Sequence, residues 1–440
     1  MTRRLWSAPA RGADVLIRGA RVVDPLAGLD ETLDVLVRKG RILQVGTGLE
    51  APTGCRTIAA DGWLLLPGFV DLHTHLRTPG REDEEDLASA TRAAAAGGYV
   101  AIFAMANTDP VVDTASLVQA LALRAQTEAV VPVGFFAAVT SGLRGEQLTE
   151  MWELAQAGAV GFSDDGRPLS SAHLTRRALQ YAKVTDRFVA VHAEDESLTR
   201  GGVMHEGAVS AKLGLGGMPP VAESIEVDRA LELAAYEQGR LHLCHLSTAA
   251  SLEHLERAKK AGVQVTAEVT PHHLTLTDEC IRSLDPNYKM NPPLRPEADR
   301  KALAQALRSG LIDCVATDHA PHAQQEKEVP FEDAPFGTLG LQTAFAAAHQ
   351  TLVASGALKL PVLAERMSQS PARIAGMAVP TVQAGEEANL CLVDPRQTWT
   401  VTSAELHSKA KNSAWLGAKM KTRVKLTIAA GSVAWEDGAR

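Results

Sequence analysis

The chain has 440 residues, 45% hydrophobic and 22% charged, with 44 Lys plus Arg against 52 Asp plus Glu for a formal charge of −8. That composition is globular and excludes a disordered chain. An acidic balance with only 4% aromatic residues argues against a nucleic-acid partner, which calls for a basic footprint or stacking platforms.

The N-terminal stretch MTRRLWSAPARGADV carries charge but no apolar core, so it does not read as a secretory signal. From Asp14 to Leu66 short alternating segments (VLIRGARVVD, DVLVRKGRILQVG, TIAADGWLLL) are punctuated by Gly19, Gly40, Gly46 and Gly62, the pattern of a small β unit. The last ~60 residues repeat that rhythm in ANLCLVD, TWTVT and RVKLTIAAGSVAWED. One β-sandwich built from residues 1–66 and 377–440 is the expectation.

The middle, residues 67–376, alternates apolar β runs with amphipathic helical runs, as parallel α/β folds do. Strands are predicted at 69–73, 100–107, 131–139, 159–165, 188–194, 241–247, 263–270 and 314–319. Gly98, Gly158, Gly239, Gly262 and Gly310 stand where helices end. Eight strands over roughly 250 residues match a (β/α)₈ barrel. A doubly wound sheet gives the same local rhythm. No apolar run reaches the ~18 residues of a membrane helix, and five scattered cysteines without a CxxC pair indicate neither a disulfide framework nor a thiolate zinc knuckle. The expected setting is cytoplasmic, without a membrane partner.

The chemistry gathers at strand ends. His73 and His75 follow the first barrel strand, Asn107 the second, Asp164 and Asp165 the fourth, His192 the fifth, His245 the sixth and Asp318 the eighth. In a barrel these ends share one mouth. His73 and His75, two apart on an extended segment, face the same way and can ligate one ion. Four imidazoles with aspartates suit a borderline metal such as zinc. Six donors exceed the four positions of one tetrahedral ion, which points to two zinc ions sharing a bridge. Spacing alone does not choose between Asp164 and Asp165.

Asp318 can serve as ligand and general base, and His322, four residues on, can reach a substrate. Arg77 would share the face of His75 if the extension continues, as a carboxylate receptor; the alternative is an ion pair with the acidic run Glu82 to Asp86. Asn291, stiffened by Pro292 and Pro293, offers a positioned amide or a plain turn. His272 and His273 end strand seven as packing or supporting residues, His319 receives no role, and Cys244 should point away from His245 into the core.

Pro67-Gly68-Phe69-Val70-Asp71-Leu72-His73-Thr74-His75 resembles the first-strand motif of cyclic amidohydrolases. Gly161-Phe162-Ser163-Asp164-Asp165-Gly166, Asn291-Pro292-Pro293-Leu294-Arg295, Asp318-His319-Ala320-Pro321-His322 and Ala334-Pro335-Phe336-Gly337 narrow the resemblance to bacterial type I dihydroorotases, over nearly the whole chain. The resemblance implies a barrel with a small β-sandwich. It implies two zinc ions held by His73, His75, Asp165, His192, His245 and Asp318, with Asp165 bridging and Asp318 as base. It implies substrate held by Arg77, Asn107, Asn291, His322 and the Phe336-Gly337 backbone. The implied reaction interconverts N-carbamoyl-L-aspartate and L-dihydroorotate in pyrimidine biosynthesis, by a homo-oligomer able to associate with aspartate transcarbamoylase. Dihydropyrimidinases, hydantoinases and allantoinases resemble this architecture but bridge their metals with a carboxylated lysine on strand four. No lysine occurs between Gly40 and Ala182. Metal-free homologues that only scaffold aspartate transcarbamoylase have lost ligands, and none is missing here. A non-catalytic binding barrel is the remaining alternative.

Overall fold

The computed structural model describes residues 5–9 and 11–438. The first strands are β1 (Val15–Asp24), β2 (Leu29–Arg38), β3 (Arg41–Gly46), β4 (Arg56–Ala59) and β5 (Leu64–Pro67). β1 pairs antiparallel with β2 on one edge, and on the other runs parallel to β4 and then β5.

The barrel follows in β6 (Phe69–Thr74), β7 (Tyr99–Ala104), β8 (Val133–Phe135), β9 (Phe162–Ser163) and β10 (Val189–Val191). After a short parallel pair, β11 (Met204–His205) and β12 (Gly217–Met218), it resumes with β13 (Leu241–Leu243), β14 (Val265–Val269) and β15 (Cys314–Val315). Within β6-β7-β8 and within β9-β10-β13-β14-β15 all pairing is parallel. The parallel bridges Ala137↔Phe162 and Thr74↔His319 join these two sheets at both seams, so the eight strands close. Closure settles the choice between a barrel and a doubly wound sheet. Helices such as Leu87–Ala96, Ala115–Glu128, Val221–Glu237 and Glu297–Ser309 intervene between strands. The residues β6 and β7 turn to either side are all buried, as expected of parallel strands with packing on both faces. Among the described residues no helix is long and apolar enough to cross a membrane.

The chain then returns to the first sheet through β16 (Leu390–Thr400), β17 (Lys419–Ala429) and β18 (Ser432–Glu436). β16 pairs antiparallel with β5, giving one eight-stranded sheet in which both ends of the chain take part. The sheet rolls over a core of its own, where Val35, Val37 and Ile42 meet Leu390, Leu392, Leu426 and Ile428. Hydrogen bonds from Ala13 N–H to Gly431 O and from Ala388 N–H to Gly40 O tie its two edges together.

Two details depart from the sequence-based expectation. Gln238, not Gly239, takes the left-handed cap of helix Val221–Glu237. Residues 5–9, expected in the β-sandwich, lie against the barrel instead. Trp6 bridges antiparallel to Val133 at the start of β8, and its ring lies 6.0 Å from Phe135. Gly158 allows this, because at φ 114° a Cβ there would stand 2.5 Å from the indole.

Candidate active site

Strand pleating and the turns that follow each strand bring the polar residues to the C-terminal mouth. Asp165 lies at their centre, buried. Its Oδ2 is 3.3 Å from His73 Nε2 and 3.5 Å from His75 Nε2, and its Oδ1 is 3.4 Å from His245 Nε2 and 3.8 Å from His192 Nδ1. Asp318 Oδ1 approaches the first pair from the other side, 2.9 Å from His75 Nε2 and 3.6 Å from His73 Nε2. Two backbone distortions accompany this: His245 and Asp318, just beyond the ends of β13 and β15, sit at positive φ, 30° and 47°.

The electrostatics follow from that packing. Burial alone would raise the Asp165 carboxyl, but His73, His245 and His75 hold it well below the usual carboxylate range. Asp318 behaves alike, its burial outweighed by His73 and His75. Asp164 faces elsewhere. It accepts from the N–H of Val139 (2.7 Å), the N–H of Thr140 (3.0 Å) and the Thr140 hydroxyl, and burial pushes it up to about 6. The geometry thus singles out Asp165, which the spacing did not.

The donor set fits divalent metal. His73 Nε2 is buried without a hydrogen-bond partner, aimed between Asp165 and Asp318. His73, His75 and Asp318 form one cluster of potential ligands, and Asp165, His192 and His245 a second. Ligand bonds of ~2.0–2.2 Å in a tetrahedron place neighbouring donors ~3.3–3.6 Å apart, close to the separations seen here.

Sequence reading missed the residues behind these donors. Glu268, on β14 and fully buried, lies 2.7 Å from His73 Nδ1 and 3.0 Å from His242 Nε2. Its carboxyl is held at about 2 despite burial by His73 and His242. Glu194 lies 2.8 Å from His192 Nε2 and also accepts from Asn291 Nδ2 at 2.7 Å. Asp71 accepts from Thr317 and from the His73 N–H, locking β6 to the segment after β15. A signal existed: Asp71 and Glu268 are the single carboxylates inside buried strand segments without other acidic or basic side chains save histidine.

The predicted substrate residues converge on the same mouth. Asn107 Oδ1 is 2.9 Å from His75 Nδ1, and its amide donates to Asp165 O. Asn107 also lines a cavity of about 680 Å³ over Asp165, with Arg144 and Arg167 on its rim. An adjoining cavity of about 280 Å³ is lined by Arg77, Glu84, Asn107 and His322. Here the expected extension fails. Arg77 adopts φ 55°, so it does not continue the face of His75. Its Nε lies 2.8 Å from Glu84 and 2.9 Å from Pro321 O, an ion pair within the acidic run. His322 Nε2 is 2.7 Å from Phe336 O. Gly337 N–H donates to Lys289 O and Gly337 O accepts from Asn412, so those backbone groups are engaged within the loop.

Two further expectations are corrected. Cys244 is buried in the barrel core as expected, but it does not turn away from the site: its sulfur groups with His73 and Asp165. His272 and His273 begin the short helix Pro271–Thr275 rather than ending β14. His319 is structural, accepting from Gly340 N–H and lying 3.4 Å from Glu85.

A closed (β/α)₈ barrel with histidines and aspartates gathered at its mouth, beside a sheet built from both chain ends, defines a cyclic amidohydrolase. A family model described as dihydro-orotase-like matches residues 62–251. The dihydroorotase of Geobacter metallireducens is 44% identical over 423 residues, covering 96% of this chain and 100% of that one. That of Streptomyces coelicolor is 47% identical over 428 residues, covering 96% and 98%. Among solved structures, L-hydantoinase from Arthrobacter aurescens superimposes with a TM-score of 0.86 at 26% identity, over 97% of each chain. Dihydropyrimidinase from Brevibacillus agri shares the fold, with a TM-score of 0.81 at 23% identity over 96% of this chain and 94% of that one. The chain belongs to the dihydroorotase family.

Proposed function

We propose that this chain interconverts N-carbamoyl-L-aspartate and L-dihydroorotate with two zinc ions. One carboxylate, Asp165, set among four imidazoles on a strand without lysine, carries the reading. It favours this activity over that of the hydantoinases, which the resemblance supplies with a carboxylated lysine there. His73, His75 and Asp318 would hold one ion, His192 and His245 the other, and Asp165 both; residues 67–376 form the catalytic unit. When bound, such ions polarise an amide carbonyl and acidify water.

The chain's own groups do the rest. In ring opening, water oxygen adds to the ring amide carbonyl carbon. Asp318 accepts a proton from that water and returns it to the ring nitrogen as the C–N bond breaks. The other water proton stays on the new carboxyl group and is released as that acid ionises, so the products are a carboxylate, a carbamoyl NH₂ and a proton, and ring closure runs in reverse, taking that proton up. Asn107 fixes His75, and Asn291 fixes Glu194 behind His192. The Arg77 guanidinium, anchored at Nε by Glu84, turns its remaining N–H groups to the substrate carboxylate, with His322 beside it and Phe336-Gly337 shaping the wall. We assign the enzyme to the cytoplasm as a homo-oligomer able to associate with aspartate transcarbamoylase. The test is metal analysis of purified protein alongside hydrolysis of dihydroorotate, dihydrouracil and hydantoin. Two zinc equivalents with a strong preference for dihydroorotate are expected; a preference for hydantoin or dihydrouracil would overturn the reading.

A further inference from the structure

We infer that Glu268 is a positioning residue of the metal centre, holding His73 so that Nε2 presents a lone pair to the ion. The inference rests on reading His73 as a ligand. An imidazole has two nitrogens, and only the unprotonated one can ligate. Which one that is depends on the partner of the other.

His73 is fully buried, and its Nδ1 has one close partner, Glu268 Oε1 at 2.7 Å. A carboxylate only accepts, so it fixes the proton on Nδ1 and leaves Nε2 bare. Nε2 is the atom without a hydrogen bond that points between Asp165 and Asp318. Glu268 is itself held. Oε2 lies 3.0 Å from His242 Nε2, whose Nδ1 lies 2.8 Å from the Thr266 hydroxyl, and Oε1 also accepts from the His245 N–H at 3.2 Å. Donation therefore has one direction, from Thr266 through His242 to Glu268, and from His73 to Glu268. The same carboxylate touches the side chain of one proposed ligand and the backbone of another, His245. A residue that merely tied strands together would not need to meet a ligand imidazole at its only other nitrogen.

Zinc alone is the probe. Metal-free wild type, Glu268→Gln, Glu268→Ala and His73→Ala are titrated with Zn²⁺ against a chromophoric chelator, and the unfolding temperature of each metal-free protein is recorded. Loss of such a partner weakens metal affinity ~10–100-fold, and Glu268→Ala should reach the upper end. Glu268→Gln, whose amide oxygen can still accept from Nδ1, should lose less; unchanged zinc affinity in Glu268→Ala, with only a lower unfolding temperature, would overturn the inference. Unchanged affinity in His73→Ala would instead remove the ligand reading on which it rests. Should the variants not fold, histidine ¹⁵N NMR of zinc-loaded wild type decides. A protonated Nδ1 on His73 is expected, and a proton on Nε2 would overturn the assignment.

Discussion

Asp164 and Asp165 are adjacent in sequence and opposite in environment, so substitution should separate them. Asp165→Ala is expected to lose bound zinc and turnover together. Asp164→Ala should keep zinc but lose stability, because two N–H groups of the loop after β8 lose their acceptor; an unsatisfied buried donor costs ~1–3 kcal/mol. Zinc content and thermal unfolding on the two variants check this directly. Asp318→Asn keeps the shape and removes the base, so kcat should fall ~10²–10⁴-fold, as steady-state assays with matched zinc content will show. For Arg77 the sequence left two readings, a carboxylate receptor and an ion pair with the acidic run. The structure provides the ion pair, with Glu84, on a guanidinium that still lines the cavity beside Asn107. Arg77→Leu should cost ~2–5 kcal/mol in binding the ring carboxylate, lowering kcat/KM for dihydroorotate while residual dihydrouracil turnover stays nearly constant. Equal losses on both substrates would refute that role.

At the level of elements, strand positions were legible because buried parallel strands read as apolar runs with polar residues at their ends. What escaped was the direction of the backbone beyond those ends. Arg77, His245 and Asp318 all take positive φ, a state that L-residues adopt only when surrounding contacts impose it, and no local pattern announces it. That is why Arg77 appeared to share a face with His75. Glu268 and Asp71 were visible as the single carboxylates of buried strand segments, but their partners lie on other strands. The loop between helix Gln324–Lys327 and Gly337 offers a pH test. Lys327 donates to the carbonyls of Pro286 (3.0 Å) and Pro335 (2.7 Å), and burial with Lys289 nearby lowers it to about 7. An unfolded lysine keeps its proton to ~10.4. Between pH 7 and 10 the unfolded chain therefore binds more protons, and stability should rise with pH over that window. In Lys327→Met the rise should be smaller, as thermal unfolding between pH 6 and 9 will show; identical slopes would exclude Lys327 as its source.

At the scale of the whole molecule, residues 5–9, assigned in sequence to the β-sandwich, lie against the barrel, where Trp6 pairs with Val133 at the start of β8. Trp6 is 7% exposed, against Phe135 and Gly158. Trp6→Ala should cost ~3–5 kcal/mol of stability while leaving KM unchanged at low temperature, since β8 begins at the end of the barrel away from the mouth. A change in KM without a change in unfolding would contradict this. The sheet built from both chain ends also bears on how the protein is made. β5 lies beside β16, and Leu64 pairs with Val393, a separation of 393 − 64 = 329 residues. At ~5–20 residues per second of synthesis, the backbone edge of β5 waits tens of seconds on the ribosome for its partner. During that interval the barrel strands emerge in order and can close, while the first five strands present an open edge of the kind that pairs with other chains. The strand that ends that exposure is translated only after all eight barrel strands, so a chain released before it would carry a complete set of barrel strands and a permanently sticky flank.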